Sequence, residues 1–123
     1  MTYHLTLENH PGYLHATVTG ENTADNATRF LRETYEACIA RGFDAVLLEM
    51  NLTGPGLGIG EIYRVIAEGS ATGKRLQKIG YVDGKQRDRL KLKFAETVAR
   101  NRGVNVRLFD DIAEARRWMS EAT

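Results

Sequence analysis

"DAVLLEMNLTGPGLGIGEIYRVI" (Asp44–Ile66) carries the strongest signal of architecture in the chain. It begins with a nearly continuous apolar run, Asp44–Met50, of the kind a strand shows when both its faces are covered. A loop with glycine at positions 54, 56, 58 and 60 follows. Then Ile62, Tyr63, Ile66 and Ala67 recur at helical spacing, which predicts a helix from about Ile59 to Thr72, closed by Gly73. A buried strand, a short loop and an amphipathic helix make the first half of a parallel crossover.

Upstream, "YHLTLE" (Tyr3–Glu8) and "YLHATVT" (Tyr13–Thr19) alternate apolar and polar residues, the period of half-buried strands. Asn9-His10-Pro11-Gly12 between them has turn chemistry, so the pair reads as a β-hairpin. Pairing Glu8 with Tyr13 would put Leu7 opposite Leu14, Leu5 opposite Ala16 and Tyr3 opposite Val18 on the inner side. His4, Thr6, His15 and Thr17 would share the outer side, with His4 and His15 as diagonal neighbours. A helix follows Gly20, capped by Thr23 or Asp25. Its apolar face is Ala27, Phe30, Leu31, Tyr35, Cys38 and Ile39, and Gly42 ends it.

Downstream, "KIGYVD" (Lys78–Asp83) reads as a strand. A helix capped by Asp88 runs on to Arg102, with Leu90, Phe94 and Val98 inward and Gly103 closing it. "VNVRLF" (Val104–Phe109) is the last strand. "DDIAEARRWM" (Asp110–Met119) is the last helix, with Asp111 and Glu114 at capping-box spacing and Ile112, Ala115, Trp118 and Met119 facing the core. The order is β-β-α-β-α-β-α-β-α. That predicts one α/β domain over residues 1–123, with four helices and a five-stranded, mostly parallel mixed sheet that opens on an antiparallel hairpin.

Composition and charge narrow the function classes. The chain has 123 residues, a net charge of +1 and one cysteine, so an internal disulfide is excluded. No apolar run approaches the roughly 20 residues a membrane span needs. "MTYHLTLENH" (Met1–His10) lacks a basic start followed by an apolar stretch, and the expected location is the cytoplasm. From Lys74 to Lys93 there are eight basic residues against Asp83 and Asp88, which leaves the remainder acidic. Such a run reads as a solvated face that could meet an anion, and the near-neutral total argues against specific nucleic-acid binding.

The element order, together with "FAETVARNRGVNVRLFDDIAEARRWM" (Phe94–Met119), resembles the STAS domain, the SpoIIAA-like fold of bacterial anti-sigma-factor antagonists and sulfate-transporter tails. The features that carry the likeness are Gly103, Phe109, Asp110-Asp111, Glu114-Ala115 and Trp118. The resemblance implies a regulatory or protein-binding module of small bacterial proteins, without enzymatic activity or cofactor. It also implies a switch loop after the third strand, in the pattern Asp-Ser-Ser-Gly-Leu-Gly, in which the second serine is phosphorylated. Here Thr53-Gly54-Pro55-Gly56-Leu57-Gly58 takes that place. Gly56, Leu57 and Gly58 match, Thr53 replaces the Asp, Gly54 the first serine and Pro55 the phosphorylated one, so the resemblance implies no phosphorylation at that position.

Other chemistry is thinly supported. The glycine spacing of the loop misses G-x-G-x-x-G, because positions 59 and 61 are Ile59 and Glu61. "GSATGKR" (Gly69–Arg75) misses the Walker spacing and begins inside a helix. His4, His10 and His15 lack metal-ligand spacing, so no metal is expected. Glu49, an acid at the end of the buried strand, has no catalytic partner in the sequence. The candidate binding residues are Thr53, Gly54, Pro55, Gly56, Leu57, Gly58, Ile59 and Glu61. They would dock a protein partner, or take a small anionic ligand on the helix N-terminus with help from Lys85–Lys93. Self-association through an exposed edge at the first strand is a further expectation.

Overall fold

The computed structural model describes residues 2–83 and 89–121. Within them the elements are β1 (Tyr3–His10), β2 (Tyr13–Glu21), α1 (Ala24–Ala40), β3 (Ala45–Thr53), α2 (Ile59–Gly73), β4 (Lys78–Asp83), α3 (Arg89–Asn101), β5 (Val106–Phe109) and α4 (Ile112–Ser120). The strands form one sheet in the order β1-β2-β3-β4-β5, with β1 antiparallel to β2 and the other pairings parallel. This is the predicted order and class.

Strand alternation sorts the two faces. Leu14, Ala16 and Val18 of β2, Val46, Leu48 and Met50 of β3, and Ile79 of β4 pack against Ala27, Phe30, Tyr35 and Cys38 of α1, Val65 of α2 and Ala99 of α3. On the other face Tyr13, Ala45, Leu47, Val82 and Phe109 pack against Ala115 and Met119 of α4. Gly80 makes that second layer close. A Cβ there would lie 3.1 Å from Met119 Sδ and 3.2 Å from Leu47 Cδ1. α4 packs on β3, β4 and β5. On its side of β1 and β2 the strand positions are His4, Thr6, Glu8, His10, Tyr13, His15, Thr17 and Thr19.

The hairpin register differs from the expected one by two residues. Glu8 pairs with His15, Leu7 with Ala16 and Leu5 with Val18, and Tyr13 pairs with His10. Both strands run further into the turn, leaving Pro11-Gly12 as a two-residue loop. A shift of two preserves the faces but changes every neighbour. His4 lies opposite Thr19, and the histidine that comes to His15 is His10, with ring centroids 5.8 Å apart.

The expected helix faces hold except at their margins. Thr23, not Asp25, caps α1 by accepting the Asn26 N–H at 3.1 Å. Ile39, Tyr63 and Leu90 were expected inside but are 37%, 49% and 83% exposed. In their helices the buried positions include Cys38, Val65, Val98 and Ala99. Tyr63 instead meets solvent and Arg102, whose Nη2 donates to its hydroxyl at 3.0 Å. β3 extends three residues past Met50, because Leu52 is buried and Thr53 pairs with Glu21. β5 starts two residues later than expected. The expected Asp88 cap lies outside the described residues.

Lys78 departs most from its place in the basic run. It is buried, and its Nζ donates to the carbonyls of Trp118 and Glu121 at 2.7 and 2.8 Å. The cation thus bonds two C-terminal carbonyls of α4, one of which, Trp118, also accepts the Glu121 N–H, at the end where the helix dipole favours it. The outer side of β5 is closed from α3. Glu96 Oε2 accepts the Leu108 N–H at 2.9 Å, and Arg100 Nε donates to the Val106 carbonyl at 3.0 Å. Two side chains therefore occupy the groups a further strand would use.

Candidate functional site

The loop of interest leaves the C-terminal end of β3, where α/β sheets place their crevices. Thr53 is still strand: its Oγ1 donates to the Gly20 carbonyl at 3.2 Å, and its own carbonyl accepts the Asn22 N–H at 2.9 Å. Gly54 and Gly56 have φ of 94° and 86°, the left-handed region in which a side chain is strained. Between them Pro55 is held with its φ fixed. These three residues fold the chain back over the end of the α1 layer and deliver Leu57 to the core edge, where it is half-buried.

Gly58 then caps α2, and the Glu61 Oε1 accepts its N–H at 2.9 Å. The carboxylate suits the helix dipole and takes up a donor that an anion would use. Ile59, one residue into the helix, is 49% exposed.

Beneath the loop is a cavity of about 190 Å³. Pro55, Gly56 and Leu57 form one wall, and α1, α2, α3 and the ends of β3 and β4 form the rest. Phe30, Leu52 and Ile62 give the lining its apolar character, with Asn22, Asp83 and Lys91 as polar members. The candidate residues thus divide. Pro55, Gly56 and Leu57 line the cavity, Ile59 and Glu61 lie on the first turn of α2, and Thr53, Gly54 and Gly58 shape the backbone. Sequence reasoning did not find the contributions of α1 and α3, because they come from positions about 20 to 40 residues away in the chain.

The other sequence features separate from this site. Glu49 is not among the cavity residues; its Oε1 lies 2.8 Å from His15 Nε2 on the opposite face of the sheet. The Gly69–Arg75 stretch is the end of α2 and the residues just after it, not a strand-to-helix loop. Of the basic run, Lys91 lines the cavity, Lys93 donates to Glu96 at 3.0 Å, and Lys85 and Arg87 lie outside the described residues. Cys38 is buried, and burial pushes its thiol up to about 12.

No protein-family model matches the sequence, and no curated protein matches it. Solved structures do match in fold, among them two of known description. One is an anti-sigma factor antagonist from Mycobacterium paratuberculosis, with 19% identity, a TM-score of 0.62, and coverage of 98% of this chain and 96% of that one. The other is an uncharacterised protein of the DUF3478 family with a SpoIIAA-like fold from Shewanella loihica. It shares 17% identity at a TM-score of 0.54, over 95% of this chain and 93% of that one. No helix among the described residues is long and apolar enough to cross a membrane. The hairpin, the parallel strands and the four helices in this order, matched over nearly the whole chain, give this protein the SpoIIAA-like, STAS fold.

Proposed function

We propose that the chain is a non-enzymatic regulatory module that docks a protein partner through the Thr53–Glu61 loop and the first turn of α2. The observation that carries this reading is the small apolar cavity roofed by Pro55, Gly56 and Leu57, two residues before the exposed Ile59. At about 190 Å³ it falls below the roughly 300 Å³ at which drug-sized ligand pockets begin. It is close to the volume of about 150 Å³ that takes a single benzene. One apolar side chain presented by a partner fits that size, with Ile59 and Tyr63, one helical turn apart, extending the contact. The resemblance to anti-sigma-factor antagonists in fold supports a protein partner. Pro55 offers no hydroxyl at the place of the family's phosphorylated serine, so docking here is constitutive.

The test is affinity capture from the native host with the wild type and with Ile59→Asp, each checked for unchanged circular dichroism. Capture of a defined partner by the wild type and its loss in the variant supports the reading. Equal capture by both overturns it.

A second reading is a small-ligand site in the same cavity. Its apolar lining and the Glu61 carboxylate on the Gly58 N–H favour an uncharged apolar molecule over a nucleotide or free phosphate. A ligand that binds only the folded state raises the thermal midpoint. Short aliphatic and aromatic probes should do so where phosphate and nucleotides do not.

A further inference from the structure

On the opposite face of the sheet, the geometry points to a binding site for a transition-metal dication of the zinc class, formed by Glu8, His10 and His15. One ligand atom from each of these three residues lies within 4.8 Å of the other two. The hairpin register makes the cluster: Glu8 and His15 are direct cross-strand partners, and His10 is two residues from Glu8 on the same face. Glu8 Oε1 is 3.2 Å from His10 Nε2 and 3.8 Å from His15 Nδ1. Tetrahedral ligands about 2.0–2.1 Å from zinc stand about 3.3 Å apart, close to the 3.2 and 3.8 Å that Glu8 Oε1 keeps from the two rings.

The observation that selects a metal over an ordinary polar cluster is the state of His15. It is only 4% exposed, and its Nδ1 is buried without a hydrogen-bond partner. An orphaned buried nitrogen is costly in a native structure. Its other nitrogen, Nε2, lies 2.8 Å from Glu49 Oε1. A carboxylate only accepts, so Nε2 carries the hydrogen, and in the neutral ring Nδ1 keeps a lone pair, 3.8 Å from Glu8 Oε1. This is how a metal-binding histidine is held: a carboxylate on the outer nitrogen fixes the tautomer and orients the ring. His10 is held as well, stacked on Tyr13 at a centroid distance of 5.0 Å and 4° between the planes.

Two imidazoles and one carboxylate suit zinc, cobalt, nickel or copper over magnesium or calcium, which prefer oxygen alone. Three protein ligands leave a fourth position for solvent or an incoming group, the open form of a zinc site. The site is independent of the loop and cavity, which lie across the sheet.

The experiment is calorimetric titration of the full chain, free of any histidine tag, with Zn²⁺ alone, repeated with Co²⁺ to read the visible absorption of a tetrahedral site. One equivalent should bind to the wild type. Glu8→Gln and His10→Ala, at accessible positions that leave the core intact, should each weaken Zn²⁺ by more than about 10-fold. Glu49→Gln should weaken it by about 10- to 100-fold through the orientation of His15. His4→Ala, on the same face but outside the cluster, should bind as the wild type does. Nitrogen-15 shifts of the His15 ring should place the metal on Nδ1. Failure of the wild type to bind either ion overturns the assignment, as does binding that survives both Glu8→Gln and His10→Ala.

Discussion

His15 Nε2 lies 2.8 Å from Glu49 Oε1, joining β2 to β3 beneath the edge of the hairpin. Glu49 is the one acid in β3, and the contact accounts for it: it pairs the Nε2 of a histidine that the sheet buries. Glu49→Leu should leave that ring nitrogen unpaired and cost about 1–3 kcal/mol of stability in metal-free buffer, read from urea unfolding. A double variant with His15→Leu should recover part of the loss, because both polar partners are then gone.

Lys78 stabilises α4 from below through its bonds to Trp118 and Glu121. Lys78→Met keeps the buried stem but removes the ammonium and leaves those carbonyls without it. A loss of roughly 2 kcal/mol is expected, the scale of hydrogen bonds made by charged groups. Trp118 is the chain's single tryptophan, and Lys78 Nζ lies 5.2 Å from its ring. Its fluorescence should therefore report the loosening of α4 directly.

Glu96 links acid to stability. Burial alone would raise its carboxyl, but the hydrogen bonds from Lys93 and the Leu108 N–H, with the charges of Lys93 and Arg100, hold it below the usual range. A depressed carboxyl contributes stability above its unfolded value, about 4.3, and loses it as pH falls through the lower folded value. The wild type should therefore exceed Glu96→Gln in urea midpoint near neutrality, and the gap should narrow on acidification below about pH 4. A constant gap across that window would count against the coupling.

Cys38 should be chemically silent in the native state. Its thiol is buried and raised to about 12, so little thiolate exists at neutral pH. Iodoacetamide should label it in urea and leave it unlabelled in buffer; rapid native labelling would contradict the burial.

Gly80 sets the distance of α4 from the sheet. Gly80→Ala requires Met119 and Leu47 to give by a few tenths of an ångström; both are buried with little room to move, and overpacking of this kind costs about 1–3 kcal/mol. Thermal unfolding of the variant against the wild type measures it.

The order and type of the elements are legible in the residues alone, since these follow from local periodicity. Alternation in Tyr3–Glu8 and Tyr13–Thr19, the apolar run before Met50 and the spacing of Ile112, Ala115, Trp118 and Met119 each report which residues meet the core. The sequence also placed the glycine loop at the end of a buried strand. Tertiary structure decided what lies across from what. Extending both strands to the two-residue turn at Pro11-Gly12 moved Glu8 from Tyr13 to His15 and so brought two histidines and a carboxylate together. Packing of α2 and α3 exposed Tyr63 and Leu90, which have the right spacing but lie at the margins of their apolar stripes. Lys78 and Glu96 turn from the charged surface to bond carbonyls at a helix end and an N–H at a sheet edge. Those contacts join residues 12 to 43 apart in the chain, and no local pattern encodes a distance of that kind.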